Sequence, residues 1–139
     1  MCGPDRSDRP RHGALVALRA TDRSSLHADL IFHTPGHPAS TEATHATLTP
    51  SSAFDVAGLR VLIHVSGDLG RPVDDCGLFR ALDFPNLTSA NIVDLPLGEP
   101  LSLAVGGSGI IGRRVSLCSR STRTSQIVLA EGIVGFNNA

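Results

Sequence analysis

The sequence predicts an all-β fold, an antiparallel sandwich or barrel of eight short strands. Three observations lead there. Short apolar runs alternate along the chain with clusters of Gly, Pro, Asp, Asn and Ser that break regular structure. No apolar period of 3.6 residues is sustained over about 11 residues, the minimum for an amphipathic helix. The composition, 41% apolar and 18% charged over 139 residues, suits one packed domain rather than a disordered chain. No internal repeat is visible.

Taken in order, residues 1–12 are polar and rich in Arg and Pro. They read as a disordered leader ahead of a single domain over 13–139. The expected strands are Ala14–Arg19, His27–His33, Thr44–Leu48, Leu59–Val65, Asn86–Ala90, Ile92–Leu95, Gly109–Cys118 and Ile127–Phe136. The segment Gly106-Gly107-Ser108-Gly109 lacks the Lys and the following helix of a phosphate loop. It reads as a tight connection into the next strand.

Strand parity assigns faces, because successive side chains point to opposite sides. Leu59, Val61, Ile63 and Val65 share a uniformly apolar face, the core side. Arg60, Leu62 and His64 share the other. On the later strand Val115 and Leu117 point in, while Arg114, Ser116 and Cys118 point out. His64 and Cys118 are therefore expected on outward faces near strand ends, with His64 partly exposed.

Charge and cysteine content exclude several classes. The net charge is −1, so neither nucleic acid nor an anionic membrane is an expected partner. All twelve basic residues are Arg and none is Lys. They are scattered, as a G+C-rich coding sequence would leave them. Cys2, Cys76 and Cys118 are too few and too widely spaced for a disulfide framework or a zinc finger. No apolar run reaches the roughly 18 residues of a membrane span, and residues 1–13 hold no signal-peptide core. The expected address is intracellular, not secreted.

Four segments in the second half resemble copper–zinc superoxide dismutase. His64-Val65-Ser66-Gly67-Asp68 resembles the family's His-x-x-Gly-Asp. Asp83-Phe84-Pro85-Asn86-Leu87-Thr88-Ser89-Ala90 resembles the run around its zinc Asp. Pro100-Leu101-Ser102-Leu103 with Ile110-Ile111-Gly112-Arg113 resembles its Pro-Leu-Ile-Ser-Leu…Ile-Ile-Gly-Arg core. Leu129-Ala130-Glu131-Gly132-Ile133-Val134-Gly135-Phe136 resembles its C-terminal Leu-Ala-Cys-Gly-Val-Ile-Gly-Ile. The resemblance covers about residues 57–136 and implies an eight-stranded antiparallel Greek-key β-barrel with shortened zinc and electrostatic loops.

The resemblance also implies losses. Of the copper ligands, His64 keeps its place, but the other positions fall on Leu62, near Phe79 and on Cys118. No His follows His64. Asp83 matches the zinc Asp, while a zinc His falls on Arg80, a cation that cannot hold another. Val128 stands where the family has the Arg that positions superoxide, and the guiding loop shrinks to about Ser119–Gln126. Cys76 matches the loop cysteine of the family disulfide and Glu131 stands at its partner's position, so Glu131 is expected at the surface or paired with an Arg.

The resulting expectation is a catalytically inactive superoxide dismutase-like protein with no metal, no cofactor and no catalytic residues. It resembles the inactive superoxide dismutase-like proteins of poxviruses. By that resemblance it is a virion component or a decoy for host partners such as the copper chaperone, located in host cytoplasm and virion. Ile111, Gly112, Gly67 and Phe136 fall on the family's apolar dimer face and imply a homodimer. The alternative is a rebuilt copper site using His64 and Cys118, since thiolate binds Cu(I) well. The ordinary readings of the same residues are a strand-face His, a strand-end Cys and, for Asp83, a loop carboxylate bonded to the next turn. His27, His33, His37 and His45 lie on or near two strands. That spacing is compatible with a further metal site, although scattered surface histidines are the commoner outcome.

Overall fold

The computed structural model describes residues 13–21, 26–51, 59–72, 75–84, 92–119 and 127–137. The expected leader 1–12, the expected strand Asn86–Ala90 and most of the loop Ser119–Gln126 lie outside them. Among the described residues the fold is all-β. Its strands are β1 (Ala14–Ala20), β2 (Ala28–His33), β3 (Glu42–Pro50), β4 (Leu59–Ile63), β5 (Arg80–Phe84), β6 (Val93–Val105), β7 (Gly109–Ile111), β8 (Arg114–Ser119) and β9 (Ile127–Phe136). They form one curled sheet, a half-barrel, in the order β5-β4-β8-β9-β1-β2-β3-β6-β7. No described helix is long and apolar enough to cross a membrane.

Period-two patterning places the core inside the curl. Ala14, Val16 and Leu18 of β1 face in, as do Ala28, Leu30 and Phe32 of β2, and Leu59, Val61 and Ile63 of β4; all are buried. Val115 and Leu117 of β8 join them, together with Ala130 and Val134 of β9.

The structure departs from the expected eight antiparallel strands in three ways. The run Gly109–Cys118 breaks in two at Gly112, whose φ of +91° suits glycine and not a side-chain-bearing residue. Its amide donates to Val134 O at 2.8 Å. The fragment β7 then pairs parallel to β6, which makes the sheet mixed. A strand not foreseen, β5, pairs antiparallel with β4. Finally, β6 runs on from the expected Ile92–Leu95 to Val105, through Pro96, Gly98 and Pro100. Its pairing with β3 slips between Ala43 and His45. Only its C-terminal part meets β7, so half of this strand has one neighbour among the described residues.

Val65 corrects the face reading. It is 55% exposed, because β4 ends at Ile63 and the chain turns away. Phe79 N donates to Ile63 O and Ser66 N to Cys76 O, folding segment 64–79 back over the strand end. Strand β8 is correspondingly buried on both faces from Arg114 to Cys118.

The core assignment predicts unequal costs. Leu117→Ala, at a fully buried site, should cost about 2–5 kcal/mol. Val105→Ala, at 71% exposure, should stay within about 0.5 kcal/mol. Urea unfolding of the two variants measures both.

Candidate functional site

The chemistry-bearing residues gather on the outer face of β4 and β8, and segment 64–79 folds over the end of that face that carries His64 and Arg114. The ladder sets Arg60 opposite Cys118 and Leu62 opposite Ser116. Two backbone bonds continue it, His64 N to Arg114 O at 2.8 Å and Arg114 N to Ser66 O at 3.1 Å. His64 therefore stands at the end of a row shared with Arg114, Ser116 and Cys118.

His64 is not partly exposed as expected but 3% exposed. The parity reading was right about the face; what it lacked is the roof that segment 64–79 places over that face. Both ring nitrogens are engaged. Nδ1 lies 2.7 Å from Gly77 O. A carbonyl only accepts, so Nδ1 carries the proton. Nε2 lies 2.9 Å from Ser116 Oγ and accepts from that hydroxyl in the neutral tautomer. The imidazole thus ties the roof to β8.

Arg114 makes a second and stronger tie. It was expected to point outward, yet it is only 4% exposed. Nη1 donates to Arg71 O at 2.7 Å, to Asp68 O at 3.1 Å and to Cys76 Sγ at 3.4 Å. Nη2 donates to both Glu131 oxygens, at 2.6 and 3.1 Å. Glu131 is paired with an Arg, as its position in the sequence led one to expect. Burial works against the guanidinium charge, but Glu131 and Cys76 more than offset it and hold the pKa above its ordinary value. Nε is the single buried side-chain nitrogen or oxygen without a partner among the described residues. The thiol of Cys76 leans on Asp68 O and Pro72 O, and both Cys76 and Cys118 are free thiols.

Arg113 points the other way along the chain. It donates to the carbonyls of Gly109, Val65 and Gly107 and stacks over Phe79, with Cζ 4.0 Å from the ring centroid. Arg113 thus fastens the two ends of segment 64–79, at Val65 and Phe79, while Arg114 fastens its middle. Sequence reasoning missed both, because an Arg donating to main-chain carbonyls has no signature beyond its presence.

Asp83 is not a loop residue. It sits on β5 directly across from Arg60, whose Nε donates to Oδ1 at 2.7 Å. That hydrogen bond, with the carboxylate charge behind it, raises the Arg60 pKa. Arg80 lies over Phe79 and 3.7 Å from Glu99. Cys118 is fully buried rather than at an open strand end. The register places it four residues along the ladder from His64, roughly 13 Å at 3.3 Å per residue, with Ser116 between. The structure does not bring His64, Asp83 and Cys118 together. No group of three or more His, Cys, Asp and Glu side chains converges among the described residues.

The four positions of the expected dimer face fall near one end of the barrel. A Cβ on Gly67 would lie 2.0 Å from Gly112 O, so glycine there permits the close approach of two backbone segments. Gly112 bonds Val134 on β9, two residues before Phe136, which is 38% exposed. Ile111 is half-buried beside them.

A scan against protein-family models finds no match to this chain, and a search of curated proteins finds none.

Two outcomes follow from the geometry. Arg114→Met should cost about 3 kcal/mol, because it leaves Glu131 and two loop carbonyls without their donor. Glu131→Gln should cost less, and the double variant should show clear non-additivity in denaturant unfolding. Burial, opposed by Arg60 and reinforced by Glu131, pushes the Cys118 thiol from 9.0 up to about 11. The unfolded chain then loses this proton first as pH climbs. Stability should fall between pH 9 and about 11, on the order of 2 kcal/mol. Comparing the pH dependence of the urea midpoint in the native chain and Cys118→Ala measures that limb, which the variant should lack.

Proposed function

We propose that this chain is a copper–zinc superoxide dismutase-like Greek-key barrel that no longer dismutates superoxide and acts by binding other macromolecules. The single observation that carries the reading is the engagement of His64. It stands at the one copper-ligand position that keeps an imidazole, and both its nitrogens are spent on Gly77 and Ser116. Leu62, Phe79 and Cys118 occupy the places where the resemblance puts the other imidazoles, and a redox copper centre needs several such nitrogens.

Three further features support it. The strand order has non-sequential neighbours, β3 beside β6 and β4 beside β8, the kind of crossover a Greek key makes. Cys76 and Glu131, at the two ends of the family disulfide, are bridged by Arg114 instead. Gly67, Gly112, Ile111 and Phe136 leave a partly exposed apolar surface where the family dimerises. The proposed roles are a homodimeric virion component or a decoy for the host copper chaperone, in host cytoplasm and virion.

The test has two arms. The purified chain, incubated with Cu(II) and Zn(II) and then desalted, should show no superoxide dismutase activity above buffer. A pull-down from host cells should retain the copper chaperone or virion proteins, and Phe136→Asp should reduce that capture. Activity that disappears in His64→Ala would show a working copper site and overturn the reading. A chain that captures neither class of protein would overturn the binding role.

A further inference from the structure

The outer face of β2 and β3 carries a groove beside the loop 34–41 that joins them. Ile31, His33 and Thr47 of the two strands line it, with Pro35 and Pro38 of the loop, around a hollow of about 630 Å3. That volume lies within the roughly 300–1,000 Å3 of ligand sites. A second hollow, bordered by Glu42, shares Thr34, Gly36 and Pro38 with it. The loop sets its own shape: His37 N donates to Thr34 O, Ser40 N to His37 O, and Thr34 Oγ1 to Glu42 O.

Charge around this groove has one sign. Strands β2, β3 and β6 and the loop carry Asp29, Glu42, Asp94 and Glu99, and neither Arg nor Lys. Glu99 faces Arg80 at 3.7 Å. Among the described residues no hydrogen bond or ion pair engages the carboxylates of Asp29 and Glu42. Asp94, with its side chain 62% exposed, uses only Oδ1, on Thr47. A carboxylate only accepts, so Thr47 gives its proton to Asp94 and accepts from His33 Nε2, 2.7 Å away. Nδ1 of the neutral His33 ring is then a further acceptor.

We propose that this groove is the docking site for an extended, arginine-bearing segment of a partner protein. A face made of acceptors calls for a ligand made of donors, and guanidinium carries five N–H donors and no acceptor. Its flat face also stacks on aromatic rings. His33 and His45, opposite each other in the register, offer two such rings with centroids 6.2 Å apart. The methylene stem of an Arg covers apolar surface of the kind Ile31, Pro35 and Pro38 present. The spread of the carboxylates selects a chain over a single cation. Asp29 pairs with Thr49 and Asp94 with Thr47. Two strand spacings and two residues thus separate the two acids, roughly 12 Å, more than one guanidinium spans. The inference does not rest on the family reading, and it uses none of the residues around His64.

The probe is a fluorescein-labelled peptide, Gly-Arg-Pro-Arg-Pro-Arg-Gly, whose prolines keep it extended. It is titrated against the full chain and followed by fluorescence anisotropy. Binding should be saturable, and clearly weaker when Lys replaces each Arg. Asp94→Asn should weaken it about tenfold. Asp29→Asn and Glu42→Gln should each weaken it about two- to fivefold. Asp75→Asn removes the same charge outside the groove and should leave binding unchanged. All four acids are exposed, so circular dichroism should show unchanged folds. No binding of the Arg peptide, equal affinity for the Lys peptide, or equal losses in Asp75→Asn and Asp94→Asn would overturn the proposal.

Discussion

A single buried guanidinium holds the segment that folds over one end of this half-barrel. Arg114 leaves β8 on the side away from the core, and from there it reaches two loop carbonyls, a thiol and a carboxylate on β9. A charge taken out of water is tolerable only when most of its hydrogens are used and a counter-charge lies within contact; here the two Nη groups are used and Nε is not. Glu131 supplies the charge, and Asp68 and Arg71 supply the carbonyls. Segment 64–79 is therefore held by directional bonds along its middle, with Phe79 at its end packed against the core. Leu69 and Leu78 on that segment are left exposed.

That arrangement explains the fate of the other polar groups. Once the segment is fixed over the end of β4 and the start of β8, His64 and Ser116 become interior. Interior polar groups must satisfy one another. His64 does so through Gly77 and Ser116, while burial keeps Cys118 a neutral thiol. The outer end of the same face stays open to water, and there Arg60 and Asp83 form an ordinary cross-strand pair. One sheet surface thus passes from a solvated ion pair to a buried hydrogen-bond chain within a few rungs.

How much of this could be read in advance depended on the range of the interaction. The inner faces of β4 and β8 were legible, because Leu59, Val61, Ile63, Val115 and Leu117 obey a two-residue period that any strand imposes. The shared outer face of His64, Ser116 and Cys118 was legible for the same reason. Their burial was not, since parity says nothing about what a following loop will cover. The break at Gly112 hid inside an apolar run, where a lone glycine is compatible with strand or bulge. Strand β5 was missed because Arg80–Phe84 has one buried apolar residue, Phe84, and otherwise a polar or half-exposed surface. The proximity of His33, His45 and Asp94 needed the pairing register, which no local pattern supplies.

The long strand β6 carries one more consequence. A sheet margin with an unbroken row of amides and carbonyls is a template on which a stray chain can add itself, the first step of fibre growth. Among the described residues the stretch of β6 before Leu101 has no strand neighbour but β3, and there Pro96 and Pro100 remove two of those amides, while Gly98 between them adds no side chain to hold an incoming strand flat. That stretch is thereby made a poor seed for cross-β stacking.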